Sequence, residues 1–287
     1  MKQERMEGGS PRHDEWQALE KIGRYAEVEL AKEENAPIDP EDFAEIYRTD
    51  FDRRDVNVEV SKNENSSWRA LQGMLVSTAE LNNTFGEGYI RNSSNFDKKR
   101  NKVDLIAEYE NEKGAASYLG VEVADGTNFS RKFAEIFEGI KEGDLTDVKY
   151  FQSGMDPDKK MKLGNIPRVI VGAGNETIVD AGSAWLDGDR TERKLDTHYL
   201  QYQTLVESQM QLDAFSKYAR KVGRVDLVKT LEAMHSRISD ALGDLVERNG
   251  KIPMKDLEKD KIFERLKEDL ALEFQRVQGG GGERLAA

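Results

Sequence analysis

Two aliphatic runs, Lys102–Tyr109 (KVDLIAEY) and Tyr118–Ala124 (YLGVEVA), are separated by only eight residues, ENEKGAAS. Short apolar runs bounded by turn-forming residues are strands, and a turn-rich link of that length predicts an antiparallel hairpin. The same runs carry acids where aliphatics are expected. Asp104 stands among Val103, Leu105 and Ile106, and Glu122 between Val121 and Val123. A carboxylate on a central strand is costly unless it is liganded, paired or solvated in a cleft. Residues of like parity on paired strands share a face, so two such acids on neighbouring strands are more informative than either alone.

Around this hairpin the pattern alternates between helix and strand. Ser66 and Ser67 are N-cap candidates for a helix bearing Trp68, Leu71, Leu75 and Thr78 on one face. A weaker strand is expected over Glu87–Arg91. After the hairpin, Thr127 or Asn128 caps a helix whose stripe is Phe129, Phe133, Ile136, Phe137 and Ile140. Val148–Phe151 and Arg168–Gly172 read as further strands, the second buried by its continuous apolar run. The order is therefore helix, three strands, helix, strand, then more sheet. Upstream, Trp16, Leu19, Ile22, Ala26 and Leu30 mark an amphipathic helix over Asp14–Glu34, followed by a short helix at Glu41–Tyr47 and a strand at Asp55–Lys62. Downstream, His198–Val222, Val225–Val246 and Lys255–Val277 carry long helical periodicities and are expected to form a bundle beside the core. The aromatics Tyr199, Tyr202, Phe215 and Tyr218 fit packing there better than base stacking.

The resulting organisation is a disordered lead (1–13), an N-terminal extension (14–62), an α/β core (63–195), a C-terminal helical region (196–278) and a mobile tail (279–287). The chain has no cysteine and only three scattered histidines, His13, His198 and His235. Thiolate chemistry is thereby excluded, and a zinc centre built on several imidazoles is not expected. The formal net charge of −12 argues against a protein that coats nucleic acid non-specifically. It leaves room for a local site whose acids are offset by metal. The charged N-terminus and the lack of a long apolar run predict a cytoplasmic protein with no membrane partner.

The stretch NKVDLIAEYENEKGAASYLGVEVADG resembles the hairpin of the PD-(D/E)XK, or restriction-endonuclease-like, superfamily. In that pattern an Asp opens one strand and Glu-x-Lys follows on the next. The resemblance covers about 110 of the 287 residues. It implies a restriction-endonuclease-like mixed sheet flanked by helices, here with a C-terminal helical bundle. It further implies hydrolysis of DNA or RNA phosphodiesters with Mg²⁺ or Mn²⁺, and makes Asp104 and Glu122 the metal ligands. The family's lysine position holds Ala124. Some members supply that amine from the following helix, and here Lys132, at the border of the apolar stripe, is the candidate. The family also often places an acid on the helix before the strands. Glu80 is the one acid between Ser66 and Asn83, and so a third metal-ligand candidate.

A basic run at Lys98, Lys99, Arg100 and Lys102 lies beside these acids and is the candidate nucleic-acid-binding element. Bland readings stand beside each assignment. Asp104 could face solvent and pair with Lys102 or a neighbouring strand, Glu122 could answer a cross-strand cation, and Lys132 and Glu80 could be solvated helix residues. Three functions compete. One is an Mg²⁺-dependent nuclease whose C-terminal helices shape the groove or mediate dimerisation. A second is the same fold without catalysis, acting as a binding or assembly module, which Ala124 and the acidic charge favour. The third is a nucleotide-handling protein built on the turn Gly172-Ala173-Gly174-Asn175-Glu176-Thr177, although those residues lack a third glycine and read better as a tight strand-to-helix turn.

Overall fold

A computed structural model describes residues 17–24, 69–76, 88–110, 116–124, 126–156, 158–186, 198–250 and 254–279. The strands are β1 (Gly88–Asn92), β2 (Leu105–Glu110), β3 (Ala116–Ala124), β4 (Thr146–Gln152), β5 (Lys160–Ile166) and β6 (Arg168–Gly172). Helices α1 (Asn95–Arg100), α2 (Phe129–Glu142) and α3 (Asn175–Leu186) belong to the same half of the chain. Then follow α4 (Tyr199–Lys221), α5 (Val225–Asn249), the single turn α6 (Met254–Leu257) and α7 (Lys261–Gly279). Residues 17–24 and 69–76 are also helical. The expected lead, the helix at 41–47, the strand at 55–62 and Glu80 lie outside the described residues, as does the tail beyond Gly279.

The fold is mixed α/β. β1, β2, β3 and β6 form one sheet in that order. The β2–β3 hairpin pairs antiparallel with Leu105 opposite Val121 and Tyr109 opposite Ser117, as the eight-residue link predicts. β1 joins β2 antiparallel, whereas β6 lies parallel to β3. Parallel neighbours need a crossover, and α2 with the β4–β5 pair supplies it. β4 does not enter this sheet. It pairs with β5 to make a separate two-stranded sheet. β5 escapes the sequence reading because only Leu163 and Ile166 are buried along it, so no alternation shows. α1 escapes it too, since a six-residue segment with one apolar side chain reads as a basic run.

Burial explains the arrangement. The five stripe residues of α2 are all buried, as are all of β6 and the first five residues of β2. Leu71, Met74 and Leu75 of the helical stretch 69–76 join the same apolar cluster, and Gln72 Nε2 donates 2.7 Å to Asn92 Oδ1, tying that stretch to β1. The passage from β3 into α2 depends on Gly126. Its φ is 85°, and an added Cβ would fall 2.1 Å from Ile262 Cδ1. Asn128 follows at φ 59° in the N-cap position without a side-chain capping bond. The first helical hydrogen bond runs from Lys132 N to Asn128 O at 3.1 Å. Lys132 therefore sits one turn into α2, immediately beyond the end of β3.

The C-terminal helices serve the sheet directly. α4 and α5 pack side by side, whereas α7 lies against both α2 and α4, so the third helix covers the core rather than simply closing a bundle. The Phe137 ring of α2 is the meeting point, 5.4 Å from Phe215 and 5.2 Å from Tyr218 on α4, and 6.2 Å from Phe274 on α7. The aromatics of α4 are packing residues, as expected. β6 is a sheet edge, and α4 covers it with side-chain amides and a carboxylate. Gln211 accepts from Ile170 N at 2.8 Å and donates to Ile170 O at 2.6 Å. One further turn away, Gly172 N donates to Glu207 Oε2 at 3.1 Å and Gly172 O accepts from Gln203 Nε2 at 2.9 Å. Gln203, Glu207 and Gln211 repeat at four-residue spacing, which puts them on one helix face. An otherwise open edge is thus closed without another strand. No described helix is long and apolar enough to cross a membrane.

Candidate functional site

Alternation along the paired strands sets Glu108, Tyr118, Glu122 and Arg168 on one face of the main sheet. The β4–β5 hairpin covers one end of that face. Tyr118 meets Phe151 edge-on at 5.3 Å. Glu108 accepts from Ser153 Oγ at 2.8 Å and Gly154 N at 2.8 Å. At the other end Lys132 of α2 reaches Glu122. Glu122 therefore lies in the seam between the hairpin and α2.

Asp104 was expected inside its strand, and the structure moves it to the bend just before β2. It is still anchored on both sides. Its amide donates to Val121 O at 2.8 Å, and its carbonyl accepts from Ser93 N at 2.9 Å. The carboxylate turns along β3, where Oδ2 accepts from Val123 N at 2.8 Å. The reading of Asp104 as a surface partner of Lys102 fails. Asp104 is only 6% exposed, and Lys102 Nζ instead donates 2.8 Å to Lys99 O. Burial pushes the Asp104 carboxyl up to about 6. The Val123 N–H works against that, the charge on Glu122 adds to it, and Lys98 and Lys132 oppose it.

Glu122 is equally buried and faces two cations. Lys132 Nζ donates to its Oε1. Arg168 Nη1 lies 3.4 Å from Oε2. That second contact is an ion pair without a hydrogen bond, because Glu122 Oε2 and Arg168 Nε are both buried with no hydrogen-bonding partner. The Lys132 side chain is 22% exposed, so it is not the solvated helix residue of the bland reading. Ala124, at the position of the missing lysine, is buried in the main apolar cluster. The amine nearest Glu122 comes instead from α2.

Arg168 also borders a cleft of about 670 Å³, together with Arg100, Lys102, Glu135, Asp147 and Asn165, whereas Asp104, Glu122 and Lys132 do not line it. Two members of the basic run, Arg100 and Lys102, thus stand on its rim, while Lys98 acts electrostatically on Asp104. Lys99 is exposed and does not line the cleft. Glu80 lies outside the described residues. Among the described residues no group of three His, Cys, Asp or Glu converges as a metal cage, so the site offers a pair of carboxylates.

Sequence reasoning missed several buried polar residues. Arg168 was seen only as the first residue of a strand. Asp97 is fully buried, accepting from Ser94 Oγ at 2.6 Å, Asn101 Nδ2 at 2.6 Å and Lys149 N at 2.7 Å. It locks α1 to β4, and the Ser94-x-x-Asp97 spacing at a helix start was the signal that could have found it. Glu207 and Asp260 were missed too, and they decide the fate of the glycine turn. Gly172 N is taken by Glu207, and Gly174 N donates to Asp260 Oδ2 at 2.8 Å. Asp260 also accepts from Thr177 Oγ1, from Ile262 N at 2.8 Å and from Phe263 N at 3.1 Å, which caps α7. Burial pushes the Glu207 carboxyl well above its ordinary range. Turn amides already held by two carboxylates are closed to a phosphate, so this is a strand-to-helix turn and not a nucleotide cradle.

No family model, curated protein or solved structure matches this chain.

Proposed function

We propose that the seam is the active site of a restriction-endonuclease-like enzyme that hydrolyses nucleic-acid phosphodiesters with a divalent cation. The observation that carries this reading is the convergence of Asp104, Glu122 and Lys132 on one buried point, with the lysine supplied by α2 in place of Ala124. The order of helix, three antiparallel strands, crossover helix and parallel fourth strand agrees with it.

The donor set fits Mg²⁺ or Mn²⁺. These are hard cations that are commonly held by one or two carboxylates, with waters and substrate oxygens completing the shell. Asp104 and Glu122 would hold the ion, and the buried, unbonded Oε2 of Glu122 is an oxygen still in need of a partner. Bound there, the cation would neutralise charge on the scissile phosphate and acidify a water. The residues of the chain do the remainder. Burial of the two acids keeps them dry, which strengthens every charge interaction in the seam. The Val123 N–H fixes the Asp104 carboxylate. Lys132, released from Glu122, orients the attacking water by donating to it. With both acids ionised, Lys132 and Arg168 balance them charge for charge, so the free site carries no net charge.

The test is cleavage of mixed single- and double-stranded DNA and RNA with Mg²⁺ and with Mn²⁺. Wild type is expected to cleave, Asp104→Asn/Glu122→Gln to lose cleavage entirely, and Lys132→Met to lose at least a hundredfold. One observation favours a second reading, in which the fold is a binding module without catalysis. Glu122 already has two cationic partners and so does not require a metal. Absence of both cleavage and calorimetric metal binding would establish that alternative and reject the first.

A further inference from the structure

Arg168 brings to the cleft a guanidinium whose hydrogen-bonding capacity is not used up among the described residues. Arg168 is nine-tenths buried, and among the described residues its guanidinium donates 3.3 Å from Nη1 to Asn101 O and makes the 3.4 Å ion pair with Glu122. Its Nε donates to nothing. Guanidinium groups are planar forks matched to carboxylate and phosphate oxygens, and a buried one normally satisfies its donors. Glu122 Oε2 is likewise unbonded although it lies beside this fork. Two complementary buried groups that stop short of a hydrogen bond form a contact that is easily exchanged for a better acceptor.

We propose that Arg168 is the phosphate-binding residue of the cleft. It rests against Glu122 in the free protein and moves its donors onto the non-bridging oxygens of a nucleic-acid phosphate when one enters. The proposal rests on the reading of the seam as a site for phosphodiesters, and it adds the residue that recognises the substrate's charge. The cleft suits such a ligand. Its volume of about 670 Å³ accommodates a nucleotide or two. Arg100 and Lys102 line the same cleft as Arg168. The acids that also line it are largely engaged. Glu135 pairs with Arg131 at 3.1 Å, and Asp147 accepts from Asn165 N at 2.9 Å. Asp144 is exposed, where water and salt screen it. The geometry also assigns Glu122 a second task. It competes with phosphate for Arg168, so its removal frees the guanidinium.

The experiment is calorimetric titration of 5′-phosphorylated dithymidylate into the full chain in EDTA, with inorganic phosphate as a second probe. Wild type should bind both. Arg168→Gln should weaken binding at least tenfold, and Arg168→Lys should weaken it less, since it keeps the charge and loses the fork. Glu122→Gln should tighten binding several-fold. Circular dichroism and Tm identify any variant that has lost its fold, and the Glu122→Gln arm carries the test if Arg168→Gln does not fold. No binding by wild type, unchanged binding by both Arg168 variants, or weaker binding by Glu122→Gln would each overturn the proposal. Failure of the nuclease reading is distinguishable from this. Arg168-dependent binding without metal-dependent cleavage rejects catalysis and keeps the phosphate site. Cleavage with unchanged binding in the Arg168 variants does the reverse.

Discussion

Asp104 is held where its charge works against the fold, which makes Asp104→Asn a stabilising substitution at neutral pH. Moving a carboxyl from 3.8 to about 6 corresponds to roughly 3 kcal/mol of unfavourable free energy once both states are ionised. Asparagine keeps the acceptor for Val123 N, although the neutral bond is weaker than the charge-assisted one. It also gives up attraction to Lys98 and Lys132. The net gain expected at pH 7.5 is therefore about 1–2 kcal/mol. The sign of the pH dependence follows from linkage. Between 3.8 and about 6 the native carboxyl keeps a proton that the unfolded one has released, so wild-type stability falls as pH rises through this window. The difference between Asp104→Asn and wild type should accordingly grow by about 2 kcal/mol from pH 4.5 to 7.5. Urea denaturation of both proteins at several pH values, in EDTA, measures it. Taking the difference at each pH removes the titration of every other group. A variant less stable than wild type at pH 7.5, or a difference that does not change with pH, would refute the argument that burial dominates at Asp104.

Two further outcomes test the polar contacts that hold the site and the sheet edge. Lys132→Met strands Glu122 beside the single, loosely placed Arg168 and should cost about 2–4 kcal/mol, whereas Lys132→Met/Glu122→Gln should return to within about 1 kcal/mol of wild type. Additive losses in that double-mutant cycle, read by guanidinium denaturation, would mean the pair is not coupled. Gln211→Leu removes both partners of Ile170 N and O at the buried edge, with an expected loss of about 2–5 kcal/mol. The hydrogen exchange of the Ile170 amide should rise accordingly, and an unchanged exchange rate would show that α4 does not cap the edge.

The local elements were legible because each is written in a short-range pattern. The α2 stripe from Phe129 to Ile140, the β2–β3 hairpin and the continuous run of β6 all stand where periodicity puts them. Asp104 and Glu122 were recognisable from the chain for a related reason, since a carboxylate embedded among aliphatics contradicts its own surroundings. Lys132 was reachable by helical-wheel position. Arg168 was not, because nothing near it in the chain says that its guanidinium meets a residue 46 positions earlier on the neighbouring strand. β5 and α1 were lost because their apolar content is too small to set a period.

The amino-acid sequence by itself determined the strongly periodic helices and strands, which face of each is apolar, and that two acids stand among aliphatics at the hairpin. Tertiary structure alone decided what covers each face. It set β4 with β5 outside the main sheet, closed the β6 edge with Gln203, Glu207 and Gln211, and filled the glycine turn with Asp260. It also brought Lys132 and Arg168 to the two oxygens of Glu122. The physical reason is that burial of apolar surface is non-directional, so a stripe specifies that it must be covered and not by what. Polar partnerships are short-ranged and directional, and they are fixed only when packing has placed distant strands and helices within hydrogen-bonding reach.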